Sequence, residues 1–173
     1  MRIFYDTEAF RWSKYSGIPR YFSELICEFQ TDSNIKIVLP QVYCRNADYQ
    51  RLMEPLSTRF SWKLRNKIID TSQSVFGVNP ARILSQSEKQ NLSYLINDDK
   101  YDIFHPTHFS SYYSGKLDRL HKPVVVTAYD LTREKYPEYF SLSINICNDT
   151  KYFFQNADRI ICISEYTKHD VLS

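Results

Sequence analysis

Four short polar clusters hold the residues whose types and spacing could do chemistry. Ser16-Gly17-Ile18-Pro19-Arg20 sets a glycine and a cation at the start of a helix. Free backbone N–H groups and the helix dipole favour an anion such as a diphosphate at that point. A plain turn glycine before a helix would leave the same spacing. His105-Pro106-Thr107-His108 has His-x-x-His spacing, but Pro106 forbids regular helix there. No Asp, Glu or Cys lies beside it to complete a metal set, so no metal site is expected. The two histidines fit better as the lining of a polar cleft, or as partners of the loop backbone. Asp130, after Tyr129, could orient a ligand hydroxyl such as a sugar's or act as a base, or it could cap the short helical piece before Glu134. Ser164 reads as a helix N-cap, and the helix dipole favours Glu165 in the first turn after it.

These clusters share one sequence property: each follows a segment with strand character. Arg2–Asp6 reads as a short buried strand, and Ile18, Tyr21, Phe22, Leu25, Ile26 and Phe29 then recur at helical spacing. Pro19 falls in the first turn, where its missing N–H costs nothing. Asn34–Pro40 is a second strand, so strand, helix and strand imply a parallel pair. Tyr101–Pro106 is a third, cut off by proline. Val124–Asp130 is a β-branched run suited to burial on both faces. A helix is expected over about 141–155, a further buried strand over Asp158–Ile163, and a helix from Ser164 through Val171. Asn79-Pro80 signals a helix running to about Ile96. The segment from Arg59 through Trp62 to Ile69 is basic and aromatic, and could lie on an anionic membrane surface or pack one face on the sheet.

Strands alternating with helices make an α/β fold, a Rossmann-like open parallel sheet flanked by helices. Ligands of such sheets bind beyond the carboxyl ends of the strands. The expectation is therefore one rim carrying all four clusters.

Composition narrows the function classes. The chain has 173 residues with 43% hydrophobic and 24% charged, and a net charge of +2, which gives no global electrostatic case for nucleic acid. No apolar run is long enough to span a bilayer, and the start of the sequence has no signal-peptide pattern. The four cysteines are scattered and read as reduced thiols, which suggests a cytoplasmic protein. A dinucleotide-dependent oxidoreductase and a P-loop enzyme are disfavoured, because neither glycine-rich fingerprint occurs. No Gly-x-Ser-x-Gly elbow occurs either.

The ordered set of motifs resembles the N-terminal domain of family 4 (group 1) glycosyltransferases of the GT-B fold. The resemblance rests on Asp6-Thr7, Ser16 to Tyr21, His105 to Phe109, Lys122 to Leu131, Glu134 to Phe140 and Asn156 to Lys168. It weakens between about Tyr43 and Asp98. It implies retaining transfer from a nucleotide-diphosphate sugar to a saccharide or glycolipid acceptor, with no metal or other cofactor. By this likeness Gly17, with Ile18 and Arg20, would meet the donor diphosphate. Tyr129 and Asp130 would sit beside the transferred sugar, and His105, Thr107, His108, Ser164 and Glu165 would line the cleft. Tyr129 stands where many members have histidine. The family's pair of glutamates separated by seven residues does not occur. Residues 1–173 are thus expected to form one acceptor-side domain, working with a donor-binding domain in cis or in trans and inactive without it. The other expectation is a stand-alone, non-enzymatic module that binds a saccharide or nucleotide.

Overall fold

Alternating burial along the first strand sets the architecture. In the computed structural model, β1 (Arg2–Tyr5) turns Ile3 and Tyr5 into one core and Phe4 into another. Side chains of a strand point alternately to opposite faces, so a strand buried on both sides needs helices on both sides. On the first face lies α1 (Gly17–Phe29), which buries Phe22 and Ile26, with α2 (Ala47–Leu56), which buries Leu52 and Met53. On the second face Phe153 of a later helix packs with Phe104, Tyr113, Leu117 and Val126. The structure describes residues 1–11, 13–42, 44–56, 89, 91–95, 98–140 and 143–173. The basic aromatic segment of 59–69 and the helix start at Asn79-Pro80 lie outside them.

β2 (Lys36–Val38) and β3 (Ile103–His105) flank β1 and run parallel to it, in the order β2-β1-β3. β4 (Val125–Ala128) and β5 (Arg159–Cys162) form a second parallel ladder. One parallel bridge, Phe104 to Val124, joins the two ladders, beside a 2.9 Å bond from the Phe104 N–H to the Pro123 carbonyl. The layers follow the expected Rossmann-like plan. Three helices complete the described part: α3 (Thr132–Lys135), α4 (Ser143–Asn156) and α5 (Glu165–Leu172). Helical backbone also occurs at 89 and 91–95.

Two elements differ from the sequence reading. α2 was not legible: its apolar residues Tyr49, Leu52 and Met53 cover little more than one turn, and Pro55 interrupts the pattern. Its start is defined by Asn46, whose Oδ1 accepts the Tyr49 N–H at 3.0 Å. β5 was expected to be buried, yet Ile161 is 42% exposed and Ile163, just beyond it, 54%. β5 has one neighbouring strand, β4, among the described residues, so half of its surroundings is open. No described helix is long and apolar enough to cross a membrane.

Candidate functional site

All five strands are parallel, so their carboxyl ends share one edge. The chain passes from β1 to β2 on one side, then to β3 on the other. The point where the order reverses therefore lies between β1 and β3, and in α/β sheets that is where a crevice opens. Tyr5 and His105 are the paired residues at this point.

The loop leaving β1 is unusual for a loop because it is buried. Asp6, Thr7, Glu8, Ala9 and Phe10 are all inside. Buried backbone and side-chain polar groups need partners, and this loop finds them. Asp6 Oδ1 accepts the N–H of Thr107 at 3.0 Å, the Thr107 hydroxyl, and the Glu8 N–H at 3.2 Å. The same Thr107 hydroxyl oxygen accepts the Ala9 N–H at 3.0 Å. Asn91 bonds the Thr7 hydroxyl at 3.2 Å and Glu8 at 3.1 Å. Arg11 holds both carboxylate oxygens of Glu8 at 2.7 Å. Farther along, the Asn46 amide donates to the Ser13 carbonyl at 2.9 Å and the Ala47 N–H to that of Lys14 at 3.1 Å. The loop is thus fixed from three outside points, and by its own Arg11–Glu8 pair, before it reaches Ser16 and Gly17, which are exposed.

Gly17 opens α1, and a Cβ built on it would meet nothing within 4 Å. Ser16 makes no side-chain cap, and the first turn holds no acidic residue. Pro19 has no N–H and Arg20 donates to the Ser16 carbonyl at 3.3 Å, so the Gly17 and Ile18 N–H groups are the ones left at the start of α1, with no carboxylate of its first turn competing for them. Ile18 is half-buried against the first core. Arg20 is exposed and turned along the helix, its Nε 2.8 Å from Glu24, which also pairs with Arg51 of α2 at 2.8 Å.

His105 and Thr107 lie beneath the rim rather than on it, being almost fully buried. His105 Nε2 shares a 2.9 Å hydrogen bond with the Thr127 hydroxyl, and its ring centroid lies 5.2 Å from Tyr5 and 5.3 Å from Phe22. Burial drives its pKa down to about 4, so the ring is neutral at physiological pH. His108 is half-buried and its pKa is also lowered by burial. Burial pushes the Asp6 carboxyl above the usual carboxylate range, against the hydrogen bonds that favour its charge. The Tyr113 hydroxyl neighbours that carboxyl, yet neither it nor Asp6 Oδ2 makes a hydrogen bond of normal geometry with a described residue.

Tyr129 leaves β4 beneath α1. Its ring meets Tyr21 edge-on at 5.7 Å, its carbonyl accepts the Thr167 hydroxyl at 3.0 Å, and its own buried hydroxyl has no described partner. Burial raises the pKa of that hydroxyl. Asp130 is exposed, and its Oδ1 accepts the Thr132 N–H at 2.9 Å, which starts α3. Ser164 caps α5 by accepting the Thr167 N–H at 3.0 Å. Glu165 is exposed beside Lys168 at 3.6 Å.

The structure thus brings Gly17, His108, Asp130 and Ser164 to one edge, with His105 and Thr107 supporting it from within. Among the described residues no three His, Cys, Asp or Glu side chains are grouped to hold a metal ion. Sequence reasoning missed Tyr5, Glu8, Asn91, Tyr113 and Thr127 as parts of this framework. The run Asp6-Thr7-Glu8 directly after a strand was the available signal, because three polar residues there need partners; nothing local marked Asn91.

A parallel sheet with helices on both faces and loops gathered at its carboxyl edge defines a Rossmann-like domain. The model of Glycosyltransferase Family 4 matches residues 16–173, and the chain belongs to that family. Its members transfer sugars, so its substrates are a sugar donor and an acceptor. Neither a curated protein nor a solved structure gives a significant match.

Proposed function

We propose that this domain is the acceptor-side half of a retaining glycosyltransferase. It would move a hexose from a nucleotide-diphosphate sugar to a saccharide or glycolipid acceptor, in polysaccharide biosynthesis in the cytoplasm, with no metal or other cofactor. The observation that carries this reading is the common edge of the segments holding Gly17, His108, Asp130 and Ser164. Catalysis of glycosyl transfer needs groups that converge on the anomeric carbon and on the departing diphosphate.

In this reading the Gly17 and Ile18 N–H groups of α1 receive the diphosphate as its charge develops, and the missing side chain of Gly17 lets phosphate oxygens approach. Ile18 continues that turn. Arg20 would exchange its pairing with Glu24 for the phosphate. Asp130 has one oxygen engaged with the Thr132 N–H and the other available for a hydroxyl of the acceptor or of the transferred sugar. Tyr129 would stand beside that sugar. His108, Ser164 and Glu165 line the groove, while neutral His105 and Thr107 hold it in shape.

A second domain, in cis or in trans, would supply most of the donor contacts. Surface at β5 and α5 supports such a partner: Ile161 and Ile163 are exposed, and Ile160, Cys162, Val171 and the exposed Leu172 line a groove of about 440 Å³. The test is a screen of nucleotide sugars with the complete enzyme, alongside residues 1–173 alone. Transfer by the complete enzyme and none by the isolated domain is expected. Robust transfer by residues 1–173 would refute the two-domain reading.

A further inference from the structure

The segment that leaves β4 after Asp130 carries an arrangement that the reading above does not use. Residues 131–140 run Leu-Thr-Arg-Glu-Lys-Tyr-Pro-Glu-Tyr-Phe. Tyr136 is 47% exposed and Tyr139 78%, and neither makes a ring or cation contact with a described residue. Two exposed aromatic side chains only three positions apart, on a fixed turn, present the kind of clustered apolar surface that suits a ligand.

Their exposure does not come from a loose chain. The Asp130 carboxylate accepts the Thr132 N–H at 2.9 Å, the Lys135 and Tyr136 N–H groups bond to the Leu131 and Thr132 carbonyls at 2.9 and 3.0 Å, and a single 3-10 turn follows at Pro137–Tyr139. That turn is closed by bonds from Tyr139 N–H to the Tyr136 carbonyl at 3.2 Å and from Phe140 N–H to the Pro137 carbonyl at 3.0 Å. Proline fixes the backbone between the two rings. Lys135 ties the segment to α5 through Asp170 at 2.7 Å. The Arg133 guanidinium lies 5.6 Å from the Phe140 ring centre, so aromatic and hydrogen-bonding groups adjoin.

The chemistry of this surface selects its ligand. Arg133 and Lys135 are offset by Glu134 and Glu138, so the segment has no net charge and offers an anionic surface no attraction. Tyrosine presents a flat apolar face with a hydroxyl at its tip. A neutral sugar ring has the complementary form: C–H groups on its faces and hydroxyls around its edge.

We propose that Tyr136 and Tyr139 form an aromatic platform for a neutral saccharide acceptor, next to Asp130. This deepens the transferase reading and rests on it for the word acceptor. The platform itself is a separate property of residues 133–140. It places a sugar ring against the two tyrosines.

The experiment uses the complete protein and saturation-transfer NMR. The probes are maltotetraose, cellotetraose, mannotetraose and N-acetylchitotetraose, with UDP and GDP measured in the same samples and anionic phosphatidylglycerol vesicles measured by sedimentation. At least one oligosaccharide is expected to bind. Tyr136→Ala and Tyr139→Ala should each weaken it by about threefold to tenfold, the scale of one aromatic contact, with Tyr139→Phe retaining most of the affinity. Nucleotide binding should be unchanged in all three variants. The platform is overturned if no tetrasaccharide binds, if binding ignores both alanine variants, or if the tyrosines govern vesicle binding instead. Nucleotide binding with no effect of the tyrosines sinks the platform and leaves the transferase reading standing. Tyrosine-dependent saccharide binding without any nucleotide binding does the reverse.

Discussion

Asp6 and Thr107 lie 101 positions apart, yet one carboxylate oxygen of Asp6 accepts both the backbone N–H and the hydroxyl of Thr107. This doubled link fastens the loop of β1 to the loop of β3 on either side of the point where strand order reverses. Because the Thr107 hydroxyl oxygen also accepts the Ala9 N–H, it serves two buried groups at once.

Thr107→Val keeps the shape of the side chain and removes that hydroxyl. The Ala9 N–H and Asp6 Oδ1 then each lose a partner in the interior. A loss of about 1–3 kcal/mol is expected, seen as a lower urea midpoint with an unchanged slope. A variant as stable as the parent would show that the hydroxyl does not hold the two loops.

His105 makes stability depend on acid. Its folded pKa of about 4 lies below the unfolded value, so the unfolded chain binds the proton first as pH falls. Stability is complete above pH ~6.5 and declines toward pH ~4, by about 3 kcal/mol for this group. Asp6 acts with the opposite sign: its raised pKa makes the contribution of the neutral acid complete below the ordinary carboxylate range and lost as pH rises. Denaturation curves of the parent, His105→Gln and Asp6→Asn at several pH values separate the two. A parent-minus-His105→Gln difference that does not fall on acidification would contradict the first assignment.

The layers and the strand order's carboxyl edge were readable because short apolar runs and helical spacing are local signals. The segments of Ser16-Gly17 and Val124–Asp130 announced themselves this way, and Ser164 proved to be the N-cap its position suggested. Burial of polar residues was not readable. His105 and Thr107 look like surface chemistry in sequence, but Tyr5, Phe22 and Thr127 enclose the first and Asp6 and Ala9 engage the second. Those partners come from distant strands and helices, so no window along the chain contains them. The exposure of β5 was hidden for the same reason: a run such as Arg159-Ile160-Ile161-Cys162 reads alike at the centre of a sheet and at its margin.

Gly17→Val tests the diphosphate role. Open space around the Cβ position predicts that Tm changes little, despite the modest helix preference of valine. Binding of UDP or GDP to the complete enzyme should weaken by about tenfold or more, as a branched side chain blocks the approach to the α1 N–H groups. Calorimetry with unaltered affinity would remove Gly17 from the donor site.

Asp130→Asn separates capping from chemistry. The amide oxygen can still accept the Thr132 N–H, so thermal stability should be retained. Turnover of the complete enzyme should fall by about a hundredfold if the carboxylate serves as a base, the ordinary scale of such a loss. Normal turnover would leave Asp130 as a helix-starting residue alone.

Among the described residues a single bridge, from Phe104 to Val124, joins the two ladders, and this gives the domain a natural shear line. Gly17 and His108 ride on one side of it, Asp130 and Ser164 on the other. With so little backbone stitching there, side chains such as the His105–Thr127 pair and the crossed rings of Tyr21 and Tyr129 act as the rivets. A molecule lying across both sides would weld the halves together, and its grip would be felt as a stiffening of the whole domain.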